Sequence, residues 1–508
     1  MTSCCEKSQS LLTLDLGLGP AHLMDIIEGP TGLCFESILI RYHAPSGMED
    51  LEDEANEYHV SDDHTVKSSS AVSFYSNQPH ARERLRRRQQ RQKLDDQIWF
   101  LLSSIVNYSK NFKHLNLRFI GCSFPADALA WLLEHAQQIE TLHVRVQFHG
   151  SLKHLGKALK HHPSLTEVWL DHCLPSVEDA MPTRAKKRSA LDKSKVTAES
   201  SSIKVVASLE PMLDGLAKSK SLHSLTLSNC TIAVSSTGLS LSKSLPNPSD
   251  TSQKPDWNAG ASLVKFVHMP SLQKLSLERM VEVRDCDLAT MADALQKHHF
   301  LTSLSIRQCA AGPLTGQALG RMLSQNKGLQ TLDCNMHWWD GVSYEETQTG
   351  EYVPKCWEND VLPIVEGLKK NSMLKCLGLY YENLAYTQNA AVISVLGEYV
   401  ETKTNQMRAQ ILQEFPKVLR GSVSTEDSSP TVLPPNCALE ALIVGHRAFE
   451  LNDDIEFYLK WNRAGRQYFY QYENATRDDW MDALLINRDD LSVVYALIST
   501  NPSMLETV

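Results

Sequence analysis

Several features that would assign this chain to a class of protein are missing from its sequence. No run of eighteen apolar residues occurs, so no segment has the composition of a membrane-spanning helix. The stretch MTSCCEKSQSLLTLDLGLGP has no basic start, and Asp15 interrupts its apolar run, which predicts no secretory signal. A net charge of −10 over 508 residues argues against a general nucleic-acid binder. We therefore expect neither a membrane nor nucleic acid as the principal partner.

Motifs for catalysis and metal binding are also missing. The twelve cysteines are scattered, and no pair has the two-residue spacing of zinc or redox sites. The sequence contains no GxxxxGK phosphate loop, no HExxH zinc motif and no GxSxG nucleophile motif. The histidine pairs at 161–162 and 298–299 follow helical patterns, where cationic side chains suit the end of a helix. We therefore expect a cytoplasmic, non-enzymatic protein with reduced thiols, no cofactor and no metal.

A recurring apolar frame, Leu-x-x-Leu-x-Leu with other apolar residues allowed, is the main positive feature. Three copies end in a cysteine, namely SLTEVWLDHC (164–173), SLHSLTLSNC (221–230) and FLTSLSIRQC (300–309). Clear copies begin at Phe112, Ile139, Leu165, Leu222, Leu272, Leu301, Leu329, Leu374 and Leu439, and weaker copies begin at Leu11 and Phe35. Four of the gaps between successive clear copies are 26 to 29 residues long. Self-similarity at a fixed period indicates a stacked repeat.

Amphipathic helical patterns separate the frames. They cover residues 127–138, 287–299 and 315–328. In the second pattern, Leu288, Met291 and Leu295 recur at the spacing of one buried helix face. Each unit is therefore predicted to contain a short strand, a turn and a helix. Stacking such units buries the apolar faces that one unit alone would expose.

These units resemble leucine-rich repeats of the long, helix-bearing class found in ribonuclease inhibitor and in the Ran GTPase-activating protein. The resemblance covers roughly residues 95–447. It implies an α/β leucine-rich-repeat solenoid, a horseshoe with inner parallel β-strands and outer helices. It also implies that the cysteine ending a frame fills a buried slot where the chain leaves the strand. We therefore interpret Cys173, Cys230 and Cys309 as structural.

The domain organisation follows from where the frames are interrupted. Residues 1–44 are interpreted as N-terminal repeats, 45–80 as an acidic and serine-rich disordered linker, 81–447 as the solenoid and 448–508 as a helical C-terminal cap. Inserts without an apolar period are predicted to be disordered. They are residues 175–203, 233–257 and 421–436. The cap stretch LKWNRAGR (459–466) loosely resembles the ends of leucine-rich-repeat proteins of unassigned function in single-celled algae.

Two basic runs leave a second interpretation open. RERLRRRQQRQK at 82–93 is interpreted as the solvated start of a helix that docks through Leu94, Ile98 and Leu101. The alternatives for this run are nuclear import and RNA contact. RAKKR at 184–188 is a weaker candidate of the same kind. A nuclear location therefore stays open beside the cytoplasmic one.

The concave strand face of such a solenoid is the expected binding surface. Positions three, five and seven of each frame are expected to face it, and aromatic or charged side chains there are candidates for partner binding. The candidates, with those just after the strands, are Arg118, His143, Arg145, Trp169, Asp171, Arg307, Asp333, Asn335, Trp338, Trp339, Tyr380 and Tyr381. The sequence thus predicts a non-catalytic scaffold that binds a protein partner of unknown identity. The alternative is a GTPase regulator of the Ran-activator type, although that family's acidic tail has no counterpart in the mixed-charge segment 448–508.

The tryptophan pair in HWWD (337–340) provides a test of this prediction. If Trp338 and Trp339 anchor a partner, Trp339→Ala should weaken partner capture by about 2 kcal/mol or more and leave the melting temperature nearly unchanged. If they pack beneath residues 340–358, the same change should lower the free energy of unfolding by about 3–5 kcal/mol. Affinity capture and thermal melting of this variant distinguish the two outcomes. A variant that is unchanged in both measurements contradicts both interpretations.

Overall fold

The structure is a computed structural model of the chain. The chain divides into two compact units. The structure describes residues 11–16, 36–43, 78–108, 112–175, 209–230, 232, 259–280, 283–336, 344–346, 352–354, 361–381, 405, 409–424, 431–433, 435–444, 451–464, 466 and 476–500. The first unit comprises Met1–Leu222 and Cys230–Trp257, and the second comprises His223–Asn229 and Asn258–Val508. No described helix combines the length and the apolar composition needed to cross a bilayer.

A parallel sheet with helices between its strands forms the first unit. Its strands lie side by side in chain order: β1 (Leu11–Asp15), β2 (Ser37–His43), β3 (His114–Pro125), β4 (Thr141–His149) and β5 (Glu167–Asp171). The short strand β6 (Leu174–Pro175) pairs with β4. The helices are α1 (Gln78–Tyr108), α2 (Ala126–His135), α3 (Leu152–His161) and α4 (Glu210–Leu216).

The second unit repeats this arrangement. Its parallel strands are β7 (Ser224–Ser228), β8 (Lys274–Glu278), β9 (Ser303–Ala311), β10 (Thr331–Met336), β13 (Cys376–Tyr381) and β16 (Ala441–Val444). Antiparallel pairs form from β11 (Tyr344–Glu346) with β12 (Tyr352–Pro354), and from β14 (Ser422–Ser424) with β15 (Thr431–Leu433). The helices are α5 (Ala259–Val267), α6 (Asp285–Leu295), α7 (Pro313–Gln325), α8 (Leu362–Leu368), α9 (409–420), α10 (Asp453–Arg463), α11 (Arg477–Ile486) and α12 (Leu491–Thr500).

The apolar residues of the frame form the core of each unit. In β4, Leu142, Val144, Val146 and Phe148 are buried, whereas the residues between them are partly exposed. This alternation arises because successive side chains of a strand point to opposite faces of the sheet. The predicted α/β class, with parallel strands that alternate with helices in a repeat solenoid, is confirmed.

The first copy of the frame begins two residues earlier than its leucines indicate. Leu12 pairs with Ile38 and Leu14 pairs with Ile40, whereas the predicted frame matched Leu14 to Ile38. Strand side chains repeat every two residues, so LLTLDL fits both registers and its own sequence cannot distinguish them. Pairing with β2 therefore decides the register.

The cysteine slot at the end of the frame is buried, as predicted. Cys173, Cys230 and Cys309 are all inaccessible to solvent or nearly so. The thiol of Cys173 donates to Val144 O (3.3 Å) and that of Cys309 donates to Leu277 O (3.5 Å) on the preceding strand. Burial raises the pKa of Cys309 to about 12, and it raises the pKa of Cys173 well above its usual value. Both thiols are therefore protonated at neutral pH, as a structural role requires.

The residue before this slot has a left-handed backbone conformation in four repeats. These residues, with φ from 49° to 53°, are His172, Asn229, Arg279 and Gln308. A side chain in this conformation costs roughly 1–2 kcal/mol relative to the right-handed one. The conformation lets the Arg279 N–H donate to Arg307 O on the next strand (2.9 Å). After β7 and β8, this turn thus links the strand end to the following strand.

A buried asparagine precedes the strand in three repeats of the second unit. These residues, each five positions before the strand, are Asn326, Asn371 and Asn436. Asn371 Nδ2 donates to Leu323 O (2.7 Å) and Asn326 O (3.4 Å). Its Oδ1 accepts from Met373 N (2.9 Å) and Leu374 N (2.7 Å). The carboxamide therefore joins its own turn to the end of the preceding helix.

These asparagines end the helices earlier than periodicity predicts. The pattern at 315–328 predicts a helix that continues through Gly328, whereas α7 ends at Gln325. Asn326 is extended, and its Oδ1 accepts from Gly328 N and Leu329 N at 2.8 Å each. A side-chain acceptor thus competes successfully with continued helical hydrogen bonding.

Two glycines allow helices α7 and α8 to pack closely. A Cβ atom added to Gly320 would lie 2.1 Å from Pro363 O, and one added to Gly367 would lie 2.3 Å from Gly320 O. Contacts this short do not occur between real atoms, so any larger residue would separate the helices. The spacing of the helices therefore depends on these positions.

The asparagine contacts predict a specific loss of stability. We expect Asn371→Ala to lower the free energy of unfolding by about 3 kcal/mol, because buried carbonyl and amide groups lose their partners. The adjacent exposed Lys370→Ala should change it by less than about 0.5 kcal/mol. Denaturant titration of both variants measures the difference. Equal stability of the two variants would contradict the role assigned to the carboxamide.

Candidate functional site

The β2–β5 face is the surface of the first sheet opposite its buried leucines. The register of the parallel strands arranges its residues in three rows. The rows are Ser37, His114, Thr141 and Glu167, then Leu39, Asn116, His143 and Trp169, then Arg41, Arg118, Arg145 and Asp171. The structure thus brings five predicted candidates together on one surface: Arg118, His143, Arg145, Trp169 and Asp171.

Three arginines lie side by side in the last row, with an aspartate at each end. Arg41 Nε lies 3.1 Å from Asp15 Oδ2, and Arg145 Nη1 lies 3.7 Å from Asp171 Oδ2. The exposed Arg118 lies between the other two arginines and pairs with no carboxylate among the described residues. Neighbouring strands are about 4.8 Å apart, so adjacent arginines of the row leave the sheet at about that spacing. The centre of the row therefore carries unneutralised positive charge.

An aromatic pair lies beside this charge. The rings of His143 and Trp169 stack with centroids 4.6 Å apart and an interplanar angle of 14°. Trp169 remains 39% exposed. Asn116 Nδ2 donates to His143 Nδ1 (3.3 Å), which leaves the imidazole proton on Nε2. These contacts orient both rings, and part of the indole remains accessible to solvent.

The environment of His143 keeps its imidazole neutral. Burial lowers the pKa of His143, Asp171 opposes this effect, and the charges of Arg118 and Arg145 lower the pKa further. Both His143 Nε2 and Asn116 Oδ1 are buried and have no hydrogen-bond partner in the described part of the chain. The face therefore has more hydrogen-bonding capacity than its own residues satisfy.

The remaining candidates belong to the second unit. Arg307 Nε donates to Asp333 Oδ2 (2.7 Å), so these two side chains neutralise each other. Asn335 pairs in register with Tyr380, and Tyr381 pairs with Met336, on strands β10 and β13. Trp338 and Trp339 lie outside the described residues. Their predicted role as anchors stays a prediction.

The basic run at 82–93 lies in the first half of helix α1. Arg91 Nη2 donates to Ser123 Oγ (2.8 Å), and Arg86 is exposed. Further along the helix, Ile98 and Leu101 are buried, as the docking prediction requires. Nuclear import and RNA contact stay predictions for this run, and residues 184–188 lie outside the described residues.

The two predicted histidine pairs lie at or just after helix ends: His161 is the last residue of α3 and His162 follows it, whereas His298 and His299 come after α6. His162 fills the position taken by asparagine in the second unit, and its Nε2 lies 3.2 Å from Ala136 O. Burial lowers the pKa of His162. His298 Nε2 lies 2.7 Å from His268 Nδ1. Within the described ranges, no group of three or more His, Cys, Asp and Glu side chains is arranged to hold a metal ion.

Sequence reasoning missed Arg41 and Asp15. Arg41 occupies the seventh position of the weaker frame at Phe35, as Arg118 and Arg145 do in their own frames. A comparison of seventh positions across all copies would therefore have identified it. Asp15 gave no such signal, because the first frame was two residues out of register.

The charges around His143 predict how its pKa responds to substitution. We expect a pKa below the ordinary value of 6.5, raised by Arg118→Gln and lowered further by Asp171→Asn. The pKa of His143 is lower in the folded state than in the unfolded state, so protonation of this histidine favours unfolding. Its contribution to the free energy of unfolding is therefore fully present above pH 6.5 and is lost as the pH falls. NMR titration of isotope-labelled histidine measures the pKa, with His143→Gln for assignment. The control variant, Lys157→Gln on α3, should leave the pKa of His143 unchanged. If neither Arg118→Gln nor Asp171→Asn shifts this pKa, the described positions of the two charges beside His143 are contradicted.

Comparison of the chain with protein-family models and with curated proteins finds no match to either. Residue roles are therefore not transferred from another protein. Function has to be inferred from the geometry of the chain itself.

Proposed function

We propose that this chain is a non-catalytic protein-interaction scaffold and that it binds a protein partner through the β2–β5 face. We further propose that its repeats are leucine-rich repeats of the ribonuclease-inhibitor-like class. The leucine frame, the period of 26 to 29 residues and the buried cysteine slot support this assignment. We infer that it acts in the cytoplasm, where thiols such as Cys173 stay reduced.

The observation that carries the proposal is the exposed Arg118 beside the stacked pair of Trp169 and His143. Arginine and tryptophan are the residue types that most often dominate the binding energy of protein interfaces. Arg118 has no carboxylate partner among the described residues, and Trp169 keeps an exposed ring. A protein partner would cover the indole and neutralise the guanidinium.

Several side chains of the face already have partners before it binds. Arg41 and Arg145 are each held by an aspartate, and Trp169 is held against His143. All of these side chains project from hydrogen-bonded strands. Ordering them on binding therefore costs little conformational entropy, which favours a recognition surface over a solvated one.

Affinity capture with the full-length protein tests the proposal. Captured proteins would be quantified by mass spectrometry for wild type, Trp169→Ala and Arg118→Ala. We expect at least one captured protein to bind about 2 kcal/mol more weakly to each variant, which is the loss typical of an interface hot spot. Its affinity would then be measured with purified components.

Two controls separate binding from folding. Lys157→Ala lies on the outer surface of helix α3, and Lys274→Ala is exposed on strand β8 of the second unit. Both should capture the same proteins as wild type, and all variants should melt within a few degrees of it. A capture profile that neither Trp169→Ala nor Arg118→Ala alters would contradict the proposal.

A further inference from the structure

We propose that the partner of the β2–β5 face is recognised through a carboxylate side chain of an acidic segment, which binds at Arg118 between Arg41 and Arg145. This inference rests on the proposed function and specifies the chemistry of the partner. It commits to an acidic peptide segment rather than a phosphorylated or a neutral one.

The arrangement of charge singles out Arg118. Arg41 and Arg145 already pair with Asp15 and Asp171, at 3.1 Å and 3.7 Å. Arg118 has no such pair, although both of its neighbours across the sheet are cationic. Like charges held on adjacent strands repel one another, and an anion at the centre would relieve this repulsion. The row is therefore incomplete at its middle position.

The guanidinium fork, together with the single net positive charge of the row, fits one carboxylate there. A guanidinium presents its N–H donors in a planar fork that matches the two oxygens of a carboxylate. Arg118 is exposed, so a side chain from outside can approach it. The strands on either side carry arginines rather than acidic residues at this register. The two aspartates of the row, Asp15 and Asp171, pair with Arg41 and Arg145 instead.

The neighbouring row determines what should accompany the carboxylate. His143 is kept neutral by burial, so it adds no charge next to Arg118. Trp169 exposes an apolar ring on β5, two strands away from Arg118 on β3. A partner segment with an acidic residue and an apolar residue a few positions apart would contact both. The face thus fits a mixed acidic and apolar peptide.

Fluorescence anisotropy with labelled synthetic peptides tests the inference on the full-length chain. The first peptide would contain glutamates flanking a phenylalanine, the second glutamines in place of the glutamates, and the third phosphoserines in the same places. We expect the glutamate peptide to bind and the glutamine peptide to bind at least tenfold more weakly. Arg118→Gln should weaken the binding of the glutamate peptide at least tenfold. The matched variant Lys157→Gln should leave its affinity unchanged.

Four results would overturn the inference. They are no binding of the glutamate peptide, equal binding of the glutamate and glutamine peptides, binding of the phosphoserine peptide alone, and binding that Arg118→Gln does not alter. These results are distinct from failure of the proposed function, which is measured by capture. If Trp169→Ala still abolishes capture of a protein while no glutamate peptide binds, the scaffold function stands and the carboxylate chemistry is wrong.

Discussion

The second unit depends on one constraint: the last carbonyl groups of helices α6, α7 and α8 need hydrogen-bond donors from the next repeat. A helix leaves these groups without partners inside the helix, and buried carbonyls require hydrogen bonds. Asn436 Nδ2 donates to Leu368 O (2.9 Å) and Asn371 O (2.8 Å), and Asn371 does the same one repeat earlier. Each carboxamide also accepts from its own turn. One side chain therefore fixes both where a helix ends and where the next strand begins.

Much of the fold could be predicted from the sequence because the leucine frame reports burial directly. Alternation identified the buried side chains of strands such as β4, and the period identified the stacked units. The ends of helices could not be predicted this way, because Asn326 is compatible with a helix until its contacts with the neighbouring repeat are known. The sequence nevertheless carried a signal for these helix ends, because the strings NKGL, NSML and NCAL each place an asparagine three residues before the first leucine of a frame. Hydrophobic periodicity does not detect such polar positions.

The candidate site was predictable only in part, for a different reason. Position within each frame placed Arg118 and Trp169 on the same face of the sheet. Which residues meet across that face depends on strand register, and Arg41 lies more than seventy residues before Arg118 in the chain. Register is a long-range property, so it does not follow from any single repeat. The row of arginines and its flanking Asp15 therefore became apparent only in the folded sheet.

The aspartates at both ends of that row limit the kind of anion that the β2–β5 face can accommodate. Arg41, Arg118 and Arg145 against Asp15 and Asp171 leave a single net positive charge. Nucleic acids bind proteins largely through the release of counterions, about one for each phosphate that is neutralised. Binding to a row with one net positive charge would release about one counterion from the nucleic acid. The phosphates on either side would lie near an aspartate, so the charge of the row matches a single anion better than an extended polyanion.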